Sequence, residues 1–447
     1  MRLLRKYEFI KWLYPGMHIK RWLLLLMAGV AMAGLGIAYL LREVYVSFTF
    51  PPIFYYLTLQ FIPYWGRGLI FVGGAVAAIT IATWQLNSSI ISALVPHQNG
   101  HRSLVDVIYS HRLLRRGPKI VAIGGGTGLS TLLRGLKEYT SNITAIVTVA
   151  DDGGSSGRLR RELGILPPGD VRNCIAALAD AEPLMTKLFQ YRFSEGSGLA
   201  GHSFGNLFIV AMSGVVGSFE EAVRQTSRVL AVRGQIVPST LANVTLCARL
   251  SNAATVEGES TISEAGAGSH IKEVFLSPPD APACPEAVRA ILEADLIVLG
   301  PGSLYTSVIP NLLVKGIRRA ILASPAFKVY VCNVATQPGE TEGFGVAEHV
   351  AVVEEYVGQP FLDAVIVNSN TEGPLPASAA GVEPVRLKGS LERSLRVLLA
   401  DVVNEANRYH HDPGKLADAI MRLYYERDQV APPAPRQQAG LLSQVQS

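Results

Sequence analysis

From residue 119 onward, short runs of β-branched and other apolar residues alternate with helical patterns and glycine-rich joints. Lys119–Ile123 and Ile143–Val149 are predicted strands, and leucines at helical spacing predict a helix over Leu129–Tyr139 between them. Strands that alternate with helices in this way usually form a parallel sheet covered by helices. The pattern therefore predicts an α/β domain with a Rossmann-like, mainly parallel sheet and helices on both faces.

The alternation continues toward the C-terminus. The further predicted elements are β-hairpins inserted in the sheet order at Leu246–Leu276, a helix at Pro285–Glu293, strands at Asp295–Leu299, Lys328–Cys332 and Ala364–Asn368, and C-terminal helices over Ser390–Arg427. The tail from residue 431 is rich in Pro, Gln and Ser, so we expect it to be disordered.

Two apolar stretches precede this domain. Trp22–Leu41 holds 20 consecutive uncharged residues, and a helix of that length crosses the ≈ 30 Å hydrocarbon core of a bilayer. Leu69–Leu86 is also uncharged, and the aromatic, proline-containing Val44–Gly66 suits a connecting loop. The sequence predicts a two-helix transmembrane hairpin with spans at about 22–41 and 69–86. A cleaved signal peptide is the alternative, and it is disfavoured because the first apolar run is too long.

Charge is distributed unevenly around these stretches. Residues 1–119 carry 13 Lys or Arg and three Asp or Glu, a net charge of +10, whereas the whole chain carries +4 and the remainder therefore −6. Six of the cations precede the first stretch, five follow the second and two lie between them. The positive-inside rule then predicts a multi-pass protein of the cell (inner) membrane with its large domain in the cytoplasm. Because the basic excess accompanies the predicted spans, we expect no nucleic-acid partner.

The 447 residues allow two or three structural units. We predict a membrane hairpin over 1–100, a juxtamembrane linker over 101–118, the α/β domain over 119–430 and the tail over 431–447. Four scattered cysteines show neither paired nor metal-ligand spacing, which favours a reducing compartment over a disulfide framework or a zinc site.

A glycine-rich turn follows the first predicted strand and consists of Gly124, Gly125, Gly126, Thr127 and Gly128. Glycines allow the backbone to approach a ligand closely, and the N-terminus of the following helix favours a phosphate. The turn differs from the GxGxxG fingerprint, whose third glycine is replaced by Leu129, and it lacks the ending of a P-loop. It is a candidate phosphate site, and the alternative is a tight turn without a ligand.

Polar residues also follow the second predicted strand. The candidate ligand-binding residues there are Asp151, Asp152, Gly154, Ser155, Ser156 and Arg158. Since ligands of open α/β sheets bind at the carboxyl ends of the strands, this segment should lie beside the glycine-rich turn. The two adjacent carboxylates, Asp151 and Asp152, are candidates for holding a ribose hydroxyl or Mg²⁺. A solvated polar loop is the alternative.

Two further motifs precede predicted helices. Asp170 and Arg172 follow a Pro-Pro-Gly turn, where Asp170 is also a good helix N-cap. His202 and Asn206 are four residues apart, which would place them on one face of a helix. All four are candidate ligand-binding residues, although a packed histidine is the more common role of a lone His202.

A second glycine-containing joint follows the strand predicted at 295–299. Its candidate ligand-binding residues are Gly302, Ser303, Leu304, Tyr305 and Thr306, and Asn333 follows the next predicted strand. Hydroxyls and backbone N–H groups make the joint a second candidate phosphate site. The loop from Asn333 to Thr341 is expected to close over the same crevice.

Taken together, the segments GGGTG, ADDGGSSGRLR, PPGDVRN, GHSFGN, GPGSLYTS and CNVATQPGET resemble the gluconeogenesis-factor (YvcK-like) family from about Lys119 to Arg427. This family is related to the phospholactate transferases (CofD-like) of deazaflavin biosynthesis. The resemblance implies a regulator that binds a uridine-diphosphate sugar, notably UDP-N-acetylglucosamine, and that influences growth on gluconeogenic carbon sources and cell shape. The membrane hairpin departs from the usual pattern of the family.

Three functions remain open at this point. A sensor would bind the nucleotide sugar without turnover, whereas a Mg²⁺-dependent transferase would consume a nucleotide diphosphate donor. A nicotinamide dehydrogenase is disfavoured by the missing third glycine. A homo-oligomer and a further protein partner are expected, and no cofactor is required besides the nucleotide-sugar ligand and, for a transferase, Mg²⁺.

Overall fold

The computed structural model describes residues 28–34, 36–38, 40, 42, 51–94, 114–180, 183–266, 268–372, 381–391 and 394–427. The chain forms two compact units, Met1–Arg112 and Leu113–Ser447. The disordered tail predicted from residue 431 lies outside the described ranges.

The first unit is helical where it is described. Its elements are a helical segment within residues 28–42, α1 (Ile53–Leu57) and α2 (Tyr64–Leu94). Within the described residues, α2 is the one unbroken helix long and apolar enough to cross a membrane, and its segment Tyr64–Thr83 is unburied. The second predicted span lies inside α2, whereas part of the first falls on undescribed residues, so the hairpin stays a prediction. The expected loop contains the short helix α1, because Pro52 precedes a run of apolar residues without a helix breaker.

The second unit contains ten strands in its described residues. The strands are β1 (Ile120–Gly124), β2 (Ile143–Val147), β3 (Gln235–Pro238), β4 (Thr245–Leu250), β5 (Thr255–Glu257), β6 (Ile271–Ser277), β7 (Leu296–Leu299), β8 (Phe327–Val331), β9 (Ala364–Asn368) and β10 (Arg396–Ala400). The helices are α3 (Gly126–Leu136), α4 (Gly154–Leu163), α5 (Gly169–Leu178), α6 (Pro183–Gln190), α7 (Phe204–Val216), α8 (Phe219–Val229), α9 (Glu259–Gly266), α10 (Pro285–Leu292), the π-helix Leu304–Val308, α11 (Ile309–Leu313), α12 (Lys315–Ala323), α13 (Val346–Val357) and α14 (Pro413–Tyr425).

Seven strands form one parallel sheet in the order β10-β9-β8-β7-β1-β2-β3. The chain builds outward from β1 to β2 and β3 and then returns to add β7 on the other side. The carboxyl ends of β1 and β7 therefore flank the point where the strand order reverses, which is where doubly wound α/β folds bind ligands. The predicted mainly parallel α/β sheet is confirmed.

Both faces of this sheet are covered. Along β1, Val121 and Ile123 belong to one hydrophobic core and Ile120 and Ala122 to another, because successive side chains of a strand point to opposite faces. Helices α10, α12 and α13 contribute to the first core, and α3, α5 and α14 to the second. The sheet is therefore packed on both faces, and the loops at the carboxyl ends of its strands start from well-packed strands.

Two sequence predictions about the sheet are wrong. The segment Leu246–Leu276 forms antiparallel strand pairs, as predicted, but in a separate sheet, β5-β4-β6, with α9 between β5 and β6, instead of inserting in the main sheet. In β6, buried and more exposed residues alternate, which suits a sheet with one covered face but not a strand buried on both faces. Within Ser390–Arg427, Arg396–Ala400 is strand β10 rather than a helix, because an apolar run this short does not by itself distinguish the two.

Candidate functional site

The two glycine-containing joints meet at the reversal of strand order. The N–H group of Gly300 donates to the carbonyl of Ile123 at 2.9 Å, and a Cβ atom built on Gly128 would lie 2.4 Å from the Pro301 carbonyl oxygen. The Asn311 side chain donates to the Gly124 carbonyl at 3.2 Å. The two candidate phosphate sites of the sequence are therefore one continuous surface.

A cavity of about 390 Å³ opens beside this surface, a volume within the range of about 300–1,000 Å³ that small-molecule sites occupy. It is lined by residues that follow β1, β7 and β8 and by two segments of the C-terminal region: Thr127, Gly128, Thr131, Pro301, Gly302, Ser303, Asn333, Val334, Ala335, Thr336, Gln337, Pro338, Val382, Tyr409, His410 and His411. The lining contains no Asp, Glu, Lys or Arg among the described residues.

The first turn of α3 forms one wall of the cavity. Gly126 has φ +62°, the left-handed region that glycine adopts without strain, and this turn directs the chain into the helix. The N–H groups of the first helical turn have no partner within the helix and carry a partial positive charge. Thr127 and Gly128 bring this helix end to the cavity, where it favours an anionic group.

The joint after β7 is fixed by a two-way contact between Asn333 and Gly302. The Asn333 Oδ1 atom accepts from the Gly302 N–H group at 3.2 Å, and its Nδ2 atom donates to the Gly302 carbonyl at 2.9 Å. This contact ties the joint after β7 to the end of β8. Ser303 is held next to it at the edge of the cavity.

Two histidines of the cavity lining, His410 and His411, were not predicted from the sequence. His411 is buried, and burial lowers its pKa to about 4, so its ring is neutral. Its Nε2 atom lies 3.2 Å from the Cys332 carbonyl oxygen, and because a carbonyl only accepts, Nε2 carries the proton. This hydrogen bond fastens the segment before α14 over the end of β8. His410, the neighbouring residue, is exposed and lines the cavity.

A second group of predicted residues forms a buried polar network outside the cavity lining. The Ser155 hydroxyl lies 2.9 Å from His202 Nδ1, and Asn206 Nδ2 donates to the same hydroxyl at 3.1 Å. His202 precedes α7, which begins at Phe204, so it does not share a helix face with Asn206 as the spacing suggested. All three side chains are buried, and the network fixes the N-terminus of α4 against α7.

Two arginines of the predicted set extend this network. Arg172 donates to the Ser203 hydroxyl at 2.6 Å and to Asn173 Oδ1 at 2.8 Å. Arg158 donates to the Ala200 carbonyl at 2.9 Å. Both guanidinium groups make hydrogen bonds within the protein, and neither arginine is among the residues that line the cavity.

The predicted acidic residues separate into two environments. Asp151 accepts from the Gly153 N–H group at 2.9 Å. Its negative charge also raises the pKa of Asp170. Asp152 instead accepts from both the N–H group and the hydroxyl of Ser260 at 3.0 Å, which holds the start of α9. Gly154 begins α4 beside them.

Asp170 does not act as the N-cap that the sequence predicted. The helix α5 begins at Gly169, and Pro168 is the N-cap. The Asp170 carboxyl instead accepts from the Gly126 N–H group, and burial together with the charge of Asp151 raises its pKa to about 7. Asp170 therefore supports the glycine-rich turn from behind, and a Cβ atom on Gly125 would lie 2.7 Å from its Oδ2 atom.

A third acidic residue faces the same region. Burial and the charges of Asp170 and Asp151 raise the pKa of Glu259, and its Oε2 atom is buried without a hydrogen-bond partner among the described residues. Burial also raises the pKa of Asp151. No group of three or more His, Cys, Asp or Glu in the described part of the chain has the arrangement of a metal site. A Mg²⁺ site would therefore need phosphate oxygens of a ligand beside one or two of these carboxyls.

Leu304, Tyr305 and Thr306 lie behind the cavity wall. All three are buried in the π-helix that follows Ser303. Of the predicted ligand-binding residues, the cavity lining contains Thr127, Gly128, Gly302, Ser303 and Asn333.

Fold and cavity together define a doubly wound α/β domain with a cavity at its strand reversal. The sequence profile of the 2-phospho-L-lactate transferase CofD family matches residues 120–403. The chain belongs to this family, and relatives that it matches carry the name gluconeogenesis factor.

Three comparisons illustrate the relationship. The gluconeogenesis factor of Bacillus subtilis (strain 168) is 55% identical over 252 residues, which cover 56% of this chain and 79% of that protein. A relative from Nostoc sp. (strain PCC 7120) is 48% identical over 434 residues, 93% of both chains, so that match includes much of the N-terminal unit. A crystal structure of a Bacillus halodurans protein, 45% identical, superposes with a TM-score of 0.64 and covers 68% of this chain and 100% of its own.

Proposed function

We propose that this protein is a gluconeogenesis factor that binds a uridine-diphosphate sugar, UDP-N-acetylglucosamine, in the cavity at the ends of β1, β7 and β8. The observation that carries the proposal is the position of the cavity, which lies where the strand order reverses and against the first turn of α3. A diphosphate at Thr127 and Gly128 would receive backbone N–H groups and the favourable end of the helix dipole.

The remaining lining suits the neutral parts of the ligand. Tyr409 and His410 bring aromatic rings to the cavity lining, and Gln337 and Thr336 bring side-chain hydrogen-bonding groups. Such groups fit a uracil base and sugar hydroxyls.

Binding without turnover is the reading that the cavity favours. Its described lining has no carboxylate that could hold a metal ion. We propose that the protein reports nucleotide-sugar supply to a protein partner and so regulates carbon flux, cell-wall synthesis and cell shape. The N-terminal unit is proposed to anchor it at the cytoplasmic face of the cell membrane through two spans, with α2 as the second.

A Mg²⁺-dependent phospholactate-transferase-like enzyme is the second candidate. It is favoured by the family profile and by the adjacent Asp151 and Asp170 carboxyls, whose pKa values are both raised. With a diphosphate bound, these carboxyls are the residues that would hold Mg²⁺, which would supply charge neutralisation for the phosphates.

Calorimetric titration of the full-length chain in detergent with UDP-N-acetylglucosamine, GTP and NAD tests the proposal. We expect saturable binding of the uridine sugar, with the ligand recovered intact by chromatography. Consumption of a nucleotide diphosphate donor on addition of Mg²⁺ and an acceptor would establish the transferase instead. Preferential binding of NAD or GTP would contradict the proposed ligand.

A further inference from the structure

Glu340 is a buried carboxylate in the loop from Asn333 to Thr341, and it is not among the residues that line the cavity. Only 5% of its surface is exposed, yet it accepts four hydrogen bonds. Its Oε1 atom accepts from Thr306 Oγ1 at 2.9 Å, from Ser263 Oγ at 3.1 Å and from Gln337 Nε2 at 3.2 Å. Its Oε2 atom accepts from the Tyr305 N–H group at 3.1 Å.

These donors belong to three separate segments. Tyr305 and Thr306 are in the π-helix that begins directly after Ser303, a residue of the cavity rim. Gln337 belongs to the loop after β8 that forms the opposite rim. Ser263 belongs to α9, which accompanies the small antiparallel sheet. One side chain therefore fixes both rims of the cavity and joins them to α9.

A carboxylate satisfies this arrangement best. An ionised carboxylate has only acceptor atoms, whereas an amide of the same shape presents an NH₂ group on one side. With glutamine at position 340, an NH₂ group that faced the Tyr305 N–H group would set two donors against each other. In the other orientation the Thr306 and Ser263 hydroxyls would have to accept instead of donate, and the hydrogens that they now give to Glu340 would lose their acceptor. Either orientation loses hydrogen bonds in a buried site and costs stability locally.

We propose that Glu340 is a positioning residue of the nucleotide site, which holds the peptide after Ser303 and the loop of Gln337 in the arrangement that receives the diphosphate. The inference rests on the proposed function for the identity of the ligand. Its structural part, the fixing of the two rims, is independent of the ligand's identity, because all four hydrogen bonds join groups of this chain. Glu340 makes no contact with the cavity itself, so it acts through the residues that it holds.

The test compares Glu340→Gln with a matched control in the full-length chain. Asp363 is the control, because its carboxylate accepts from a backbone N–H group, as that of Glu340 does. The donor is the N–H group of Lys328, at 2.8 Å, and it lies at the opposite end of β8. Hydrogen–deuterium exchange without ligand is measured first. We expect faster exchange over residues 302–308 in Glu340→Gln and unchanged exchange there in Asp363→Asn.

The second measurement is the ratio of the dissociation constants for UMP and UDP, which isolates the contribution of the second phosphate. In Glu340→Gln this ratio is expected to fall about fivefold, the effect of about one hydrogen bond, and in Asp363→Asn it should stay at the wild-type value. A general loss of stability would weaken both nucleotides equally and leave the ratio unchanged.

The outcomes separate this inference from the proposed function. Unchanged exchange over 302–308, or an unchanged ratio in a variant that still binds UMP, would overturn the role of Glu340 alone. Failure of the wild-type chain to bind any uridine nucleotide would overturn the proposed function and, with it, the nucleotide-site role assigned here.

Discussion

Gly128 and Pro301 are in direct backbone contact, so close that a Cβ atom on Gly128 would lie 2.4 Å from the Pro301 carbonyl oxygen and 2.9 Å from the Gly302 Cα atom. The two residues follow strands that are adjacent in space but separated by more than 170 positions in the chain. Their contact brings the N-terminus of α3 and the joint after β7 to one cavity wall. The proposed diphosphate site depends on this close approach.

Substituting Gly128 by alanine should therefore damage the site. The added methyl group meets backbone atoms, which cannot rotate away, so the two joints must separate. We expect Gly128→Ala to weaken UDP-N-acetylglucosamine binding by about tenfold or more, measured by calorimetry, and to lower the unfolding temperature.

The control for this substitution is Gly153→Ala. A Cβ atom there would meet nothing closer than Asp151 Oδ1 at 3.5 Å, and Gly153 has an ordinary φ of −84°. This variant should bind as the wild type does. Wild-type affinity in Gly128→Ala would show that the contact between the joints is not needed for the ligand.

His410 is expected to contribute directly to ligand binding. It is exposed at the cavity, so its removal leaves the hydrophobic cores untouched. The loss of one contact worth about 1 kcal/mol predicts about fivefold weaker binding for His410→Ala. His270→Ala removes an exposed histidine that lies directly before β6, and this variant should bind normally. Equal affinities of the two variants would remove His410 from the site.

The raised pKa of Asp170 predicts a pH dependence of stability. Its folded pKa is about 7, compared with an ordinary value of 3.8. Between these values the unfolded chain releases the proton while the folded chain keeps it, so Asp170 makes the protein less stable as the pH rises from about 4 to 7. An asparagine does not titrate and can still accept from the Gly126 N–H group.

The unfolding temperature of Asp170→Asn minus that of the wild type should therefore increase between pH 5 and pH 8. Differential scanning fluorimetry across this range measures the difference. A difference that stays constant with pH would mean that the carboxyl of Asp170 titrates at its ordinary value in the folded protein.

Membrane attachment is predicted for the full-length chain. Tyr64–Thr83 is apolar and unburied, and such a helix is stable in lipid rather than in water. The full-length chain should remain in the membrane pellet after an alkaline carbonate wash and dissolve only in detergent. A chain of residues 113–447, the second compact unit, should be released. Recovery of the full-length chain in the wash would contradict the anchor.

The sequence predicted the parallel strands well because they are short β-branched runs buried on both faces. The predicted strand Ala364–Asn368 agrees with β9, and the other four predicted strands agree with β1, β2, β7 and β8 within one or two residues, whereas β3 was not predicted. The antiparallel sheet and β10 were misjudged for a physical reason. Which sheet a strand joins depends on contacts between distant segments, and those contacts leave no local pattern.

Some of the residues that line the cavity were predicted from the sequence and others were not, because only the fold brings distant segments together. Gly128 and Gly302 were found because a close backbone approach demands glycine. His410 and His411 were missed, because only the fold returns the segment after β10 to the end of β8. Ser155, His202 and Asn206 bond one another in a buried network outside the cavity lining, and their role in ligand binding stays a prediction.

The most direct test of the account is hydrogen–deuterium exchange of the full-length chain with and without saturating UDP-N-acetylglucosamine. With the ligand bound, we expect slower exchange in the segments that line the cavity, residues 126–131, 301–303, 333–338 and 409–411. Protection confined to residues 151–158 and 202–206, with the cavity segments unchanged, would place the ligand elsewhere and contradict it.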